Sequence, residues 1–249
     1  MSNLEIEPTG EPPDFTYDTK NENEKLYALP IIGLLIPLFD KYENKSPDYA
    51  IKHISNDMIP LKKNMTTQIM KLELIFNNEV STTLIEAGIV VDNIPKAKIK
   101  PTLIQNGVLE QKNTIQSIVS ELETGITSKA FYLKNRGNES IFNVANNFRD
   151  AVRRTKSMIK TGYRTTVSKA KREAQVFLYG DPLADWITAD DDNVCIYCEV
   201  IEDESPMPLS KMPIHPLHPH CGERCKIEIR DEKELDLTQE AMDLTYYDI

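Results

Sequence analysis

Long apolar runs are missing from this sequence of 249 residues, which argues against a membrane-spanning helix. The most apolar stretch, residues 27–39, is about 13 residues long and contains Pro30 and Pro37, whereas a helix needs roughly 20 apolar residues to cross a bilayer. Apolar residues still make up 40% of the chain, which is enough for a folded core. We therefore interpret residues 27–39 as a buried or partner-facing segment.

The chain also lacks a positively charged start followed by an apolar core, so we expect no signal peptide. Residues 1–15 are acidic and polar instead. We expect the chain to stay in a cytosol, where thiols remain reduced. Aromatic residues are scarce as well, at 7%, and the chain has a single tryptophan, Trp186.

The net charge of −10 is unevenly distributed along the chain. Residues 1–50 carry 4 basic and 10 acidic side chains, residues 51–180 carry 20 and 11, and residues 181–249 carry 5 and 18. The middle of the chain is therefore basic and both ends are acidic. This distribution leaves nucleic-acid contact open, although the overall acidity argues against it.

Hydrophobic periodicity predicts a mainly α-helical chain that ends in a small α+β module. We expect a disordered or extended arm over residues 1–25, a helical region over 26–140, the module over 141–230 and an acidic tail over 231–249. The module should be compact and contain a metal staple and a short β-hairpin, and elongated helices should precede it.

Apolar residues three or four positions apart predict the individual helices, over residues 57–87, 101–133, 139–158 and 161–179. The alternating sequence KIEIR, residues 226–230, predicts a short strand.

Residues 149–172 hold nine basic side chains against one acidic side chain, Asp150. On helices they would form a positive face that could contact phosphate. The alternative is a solvated face, or one that pairs with the acidic ends of this chain or of a partner. Aromatic residues do not interleave there, so base stacking is not expected. The candidate contacts to nucleic acid or to a protein partner are Arg149, Arg153, Arg154, Lys156, Lys160 and Arg164.

All four cysteines lie in one short segment, with the spacing Cys195-x2-Cys198, a gap of 22 residues, and Cys221-x3-Cys225. Two cysteine pairs separated by a loop are typical of a structural zinc site, because two tight turns can present four thiolates to one tetrahedral ion. The segment is also too poor in apolar residues to order itself readily. We therefore predict a zinc staple held by the four cysteines, with His218 as an alternative ligand.

Other interpretations of the cysteine segment remain open. The thiols could form two disulfides or a cluster without metal, or they could belong to a catalytic metal or redox centre. A thioredoxin-like pair is disfavoured, because no βαβ pattern surrounds the CxxC sequence.

Several short motifs follow one another in a set order along residues 148–230. They are an Arg-Thr pair in a helix, a Trp before a Thr-x-Asp segment, a VCxxC sequence, and a PxHPxC sequence followed by RC and a short strand. The order resembles the phage head morphogenesis family, also called Mu F-like minor head proteins. The sequence departs from the family pattern at Gly222-Glu223, which are inserted before the final RC. The motifs fall at Arg154-Thr155, Trp186, Thr188 with Asp190, Val194-Cys195-x-x-Cys198, Pro216-Leu217-His218-Pro219-His220-Cys221 and Arg224-Cys225.

The resemblance implies a structural virion protein and not an enzyme. It implies a minor capsid component of a tailed bacteriophage, in several copies around the portal vertex inside the capsid, made in the host cytoplasm. Its role would be in head assembly or in the packaging or ejection of DNA. Its partners would be the portal protein, other capsid components and packaged double-stranded DNA, with the basic helices facing DNA or an acidic portal surface. The apolar segment 27–39 and the acidic arm would be docking elements.

Two other functions fit parts of the sequence. An HNH-like metal-dependent nuclease also combines paired cysteines with histidines beside prolines, but no His or Asn follows Cys225 to complete its site. A DNA-binding regulator with a structural zinc site would use residues 149–172 and would bind DNA with steep salt dependence.

Overall fold

The computed structural model describes residues 12–87, 102–135, 143–189, 194–215 and 224–230. The described chain is mainly helical, with a small three-stranded antiparallel sheet near its C-terminal end, as the sequence predicts. Among these residues, no helix is both long and apolar enough to span a membrane. The elements are α1 (Glu22–Ile32), α2 (Ile36–Glu43), α3 (Pro47–Ile69), α4 (Lys71–Glu86), α5 (Thr102–Asn135), α6 (Ala145–Tyr179), β1 (Leu183–Thr188), α7 (Ile196–Glu204), β2 (Met207–Pro208) and β3 (Cys225–Ile229).

These elements form two compact units. The first unit is drawn from residues 1–72 and 105–163, and the second from residues 73–104 and 164–249. Each unit combines two separate stretches of the chain, whereas each segment predicted from the sequence is one continuous stretch. The two divisions cannot be compared directly, so the predicted segment boundaries at residues 140 and 230 stay predictions.

The apolar segment 27–39 forms parts of α1 and α2 in the first unit, and most of its large side chains are buried. The Asn21 side chain accepts a hydrogen bond from the backbone N–H of Glu24 and so caps the start of α1. Ile31 and Leu35 are fully buried. The interpretation of this segment as buried is confirmed.

Part of the acidic arm packs on the same unit. The Tyr17 hydroxyl donates to the Glu24 carboxylate over 2.5 Å, and Lys156 of α6 pairs with Asp14 over 2.9 Å. Hydrogen bonds from Thr16 and then from Lys156 lower the pKa of the Asp14 carboxyl. Residues 12–20 have no regular secondary structure, whereas residues 22–25 belong to α1.

The helix predicted over residues 57–87 is two helices, and its predicted start is wrong. Helix α3 begins at Pro47, after the Ser46 side chain accepts from the backbone N–H of Tyr49, so Pro60 lies inside the helix and not in its first turn. The chain leaves the helix at Met70 before α4 begins. The apolar stripe of this region is buried, as expected of one helix face.

Helix α6 is continuous, so the break predicted between residues 158 and 161 is wrong. Gly162 lies within the helix, where an added Cβ would approach the Gln111 side chain of α5 to 2.8 Å. In the first unit this glycine therefore permits close packing between two helices instead of ending one. The second part of α6 also uses small residues, because Ala170 and Ala174 are buried against Phe76 of α4 in the second unit.

In the sheet, β1 is the central strand and lies between β2 and β3. Leu183 pairs with Pro208 of β2, and Thr188 pairs with Cys225 of β3. The predicted strand is confirmed as β3. In place of a two-stranded hairpin, the described residues form a three-stranded antiparallel sheet in which β1 pairs with both β2 and β3.

Replacing Phe148 by Ala should strongly destabilise the first unit. The Phe148 side chain is fully buried, and its ring lies edge-to-face with that of Phe39, with 5.4 Å between the ring centroids. Removing a buried phenylalanine ring costs about 3–5 kcal/mol, because apolar contacts are lost and a cavity remains. Urea unfolding followed by circular dichroism measures the change. Asn146→Ala, at an exposed position of the same helix, is the control, and equal small effects of both variants would contradict the packing.

Candidate metal centre

Strand β1 places Trp186 beside the strand that begins with Cys225. Successive side chains of a strand point to opposite faces, so Ala184 and Trp186 share the buried face of β1. Trp186 pairs with Ile227, and Thr188 pairs with Cys225. The register therefore brings the tryptophan motif and the last cysteine of the sequence to one face of the sheet.

The CxxC sequence forms the start of helix α7. Cys195 occupies the N-cap position with extended backbone, and the backbone N–H of Cys198 donates to the Cys195 carbonyl over 2.9 Å. This tight turn brings the two sulfur atoms to 3.4 Å from each other. Cys198 and Cys225 are buried in one apolar cluster with Trp186, and Cys195 packs against that cluster. Three of the four predicted cysteine ligands thus lie in one small region.

The sulfur positions of Cys195 and Cys198 suit two ligands of one ion. Zinc–sulfur bonds of about 2.3 Å at tetrahedral angles place two thiolates roughly 3.8 Å apart. The distance of 3.4 Å between the two sulfurs is close to this value and far longer than a disulfide bond of about 2.05 Å. The three described cysteines form no disulfide bond with one another.

The buried indole of Trp186 is a second feature that suits a metal centre. Its Nε1–H group is buried and has no hydrogen-bond acceptor among the described residues. Buried polar groups in proteins normally have a partner, and metal-bound thiolates accept hydrogen bonds from surrounding donors. The cysteines in the same cluster could supply such an acceptor once a metal holds them as thiolates.

The remaining predicted ligands, Cys221 and His218, lie outside the described residues. Within the described part of the chain, no group of three or more His, Cys, Asp or Glu side chains is arranged to hold a metal ion. His215 is described and was not selected from the sequence. Its ring lies edge-to-face with Trp186, with 5.5 Å between the centroids.

Glu202 joins helix α7 to strand β1 and was also not selected from the sequence. Its carboxylate accepts hydrogen bonds from the Thr188 backbone N–H over 2.8 Å and from the Thr188 hydroxyl over 2.5 Å. Thr188 pairs with Cys225 in the sheet, so this contact fixes the CxxC helix against the strand pair that carries the last cysteine.

Two further polar contacts hold the edges of the same region. Arg230 binds Asp185 with two hydrogen bonds of 2.8 Å, which joins the end of β3 to β1. The Asp181 carboxylate accepts from the Ser210 backbone N–H over 2.6 Å, which ties the turn before β1 to the turn after β2.

Arg172 of α6 also contacts this region, because its guanidinium donates to the Met212 carbonyl. Burial lowers the pKa of the Arg172 guanidinium. This member of the basic stretch therefore has a contact inside the second unit.

The six basic residues predicted as contacts differ in their surroundings. Arg154 pairs with Glu121 and donates to the Ser117 hydroxyl over 2.9 Å, and Lys156 pairs with Asp14. The pair of Lys156 with Asp14 follows the alternative in which the basic stretch pairs with an acidic end of the same chain, whereas Glu121 belongs to the middle of the chain. Arg149 and Arg153 are exposed, whereas Lys160 and Arg164 are half-buried.

Comparisons with protein-family models, with curated proteins and with solved structures find no match to this chain.

Replacing Glu202 by Ala should destabilise the second unit by about 1–3 kcal/mol. The backbone N–H and the hydroxyl of Thr188, which are both partly buried, would lose their charged acceptor. Trp186 is the only tryptophan, so its fluorescence during urea unfolding reports on this region alone. Glu204→Ala changes an exposed acidic residue of the same helix and should alter stability by a few tenths of a kcal/mol at most. Matching unfolding curves for the two variants would show that the Glu202 contact adds nothing.

Proposed function

We propose that this chain is a structural minor head protein of a tailed bacteriophage, associated with the portal vertex inside the capsid. It acts in head assembly or in DNA packaging and ejection. The observation that supports this proposal is the grouping of the residues that carry the family resemblance. Trp186, Cys198 and Cys225 share one buried cluster, and Thr188 and Cys195 lie beside it.

The proposal includes a structural zinc ion held by Cys195, Cys198 and Cys225, with Cys221 or His218 as the fourth ligand. Such an ion would cross-link the start of α7 to the start of β3 and would add its binding free energy to folding. The chain's own residues position these sulfurs: the turn at Cys195 pairs two of them, and the register of β1 with β3 brings the third to the same face.

Contact with DNA or with an acidic portal surface is assigned to the exposed arginines of α6. Arg149 and Arg153 are exposed, and exposed guanidinium groups bind phosphates or carboxylates with fork-like geometry. Arg153 pairs with Asp150, but both side chains lie on the exposed surface. Arg154 and Lys156 are assigned a structural role instead, because they are half-buried and pair with Glu121 and Asp14.

The purified chain should contain about one zinc ion, and Cys198→Ser should remove it, because a buried ligand is lost. Elemental analysis after gel filtration measures the metal content. His53→Gln is the control, since His53 stacks on Tyr49 in the first unit and should be irrelevant to zinc. Metal-free wild-type protein with four reactive thiols would contradict the staple.

The same measurement identifies the fourth ligand. If Cys221 binds the ion, Cys221→Ser should lose zinc and His218→Ala should keep it, and the reverse result would assign His218. Loss of zinc in both variants would mean that both residues contribute to the site.

The chain should be present in purified, DNA-filled particles of the phage that encodes it. Mass spectrometry of particles banded by density measures this, with the portal protein of the same particles as an internal standard for a low copy number. Absence from the particles would contradict the virion assignment and would leave the zinc site unaffected.

A further inference from the structure

Helix α7 has an exposed face that neither the metal centre nor the contact with β1 uses. Its buried or half-buried positions, Cys198, Ile201 and Glu202, face the cluster and strand β1. The six exposed positions of the helix consist of three large apolar residues and three acidic residues. They are Ile196, Tyr197, Glu199, Val200, Asp203 and Glu204.

The three large apolar side chains of this face are exposed. Ile196, Tyr197 and Val200 have 68%, 73% and 48% of their surface exposed. Val200 lies four residues after Ile196 and three residues after Tyr197, so it neighbours both on the helix surface and the three side chains form a continuous patch. Exposed apolar patches rimmed by polar groups mark sites of protein–protein contact, and tyrosine is enriched in such sites.

The charge of this face selects the kind of partner. The helix sequence IYCEVIEDE contains no Lys or Arg, so all the charged side chains that α7 itself places beside the apolar patch are carboxylates. Nucleic acid is disfavoured, because its phosphates would be repelled. Pairing of two α7 faces is disfavoured for the same reason, since like charges across an interface cost free energy.

We propose that the exposed face of α7, residues 196–204, binds an amphipathic protein segment whose apolar side chains are flanked by Lys or Arg. The partner's apolar side chains cover Ile196, Tyr197 and Val200. Its basic groups pair with the surrounding carboxylates, as in helices that lay an apolar face on a complementary surface. The inference goes beyond the proposed function, because it requires neither zinc nor a virion.

The test titrates the full chain with a fluorescent amphipathic peptide built from Lys and Leu at helical spacing. Tyr197→Ser should weaken binding at least about fivefold, as expected for a central tyrosine of an interface. Leu74→Ser is the matched control, because Leu74 is 61% exposed on α4 of the same unit and should bind as wild type. Unchanged Trp186 fluorescence confirms that each variant is folded.

A second pair of variants tests the charge of the surface. Asp203→Lys should weaken binding of the Lys/Leu peptide more than Glu86→Lys does, although both make the same change at an exposed acidic residue. Equal effects of Tyr197→Ser and Leu74→Ser would overturn the proposal, since binding would then not depend on the apolar patch of α7. Equal effects of the two lysine variants would also overturn it, since binding would then follow the net charge of the chain. Equally tight binding of a Glu/Leu peptide or of a DNA duplex at the Tyr197 face would also overturn it. Self-association that Tyr197→Ser abolishes would replace the proposed partner by a second copy of this chain.

Discussion

Burial of Trp186 is the interaction on which the C-terminal region depends. It is the largest fully buried side chain among the described residues, and the cluster around it includes Cys198, Leu209 and Met212. An aromatic side chain of this size removes more apolar surface from water than any neighbour does, which is decisive where few large apolar residues are available. Because β1 is the central strand, burying Trp186 also fixes the positions of both flanking strands.

Polar contacts add to the stability that this small core provides. A cluster of this size stabilises a fold only weakly, because hydrophobic free energy scales with the buried area. Three carboxylates each accept a hydrogen bond from another segment. Glu202 binds Thr188 at the end of β1, Asp185 binds Arg230 just after β3, and Asp181 binds Ser210 in the turn after β2. The proposed zinc ion would also stabilise this region, since its coordination bonds would join α7 to β3.

The sequence predicts this region only in part, and the reason is physical. The CxxC turn is a local feature, so its spacing alone predicts that Cys195 and Cys198 approach each other. Glu202 could not be distinguished from Asp203 beside it, because only the packing of α7 against β1 gives it donors to bind. The break predicted between residues 158 and 161 is wrong for a similar reason: the close packing of Gly162 of α6 against Gln111 of α5 is known only once the two helices are placed.

Burial also bears on the chemistry of the proposed ion. A catalytic zinc ion keeps one position open to water or substrate, whereas a structural ion is enclosed by four protein ligands. Cys198 and Cys225 are only 1% and 8% exposed, and Trp186 covers the same cluster, so an ion bound there would be shielded from solvent on that side. This favours a staple over a catalytic centre. The function of the chain should then depend on its exposed surfaces, which carry opposite charge: carboxylates on α7, and the arginines Arg149 and Arg153 on α6.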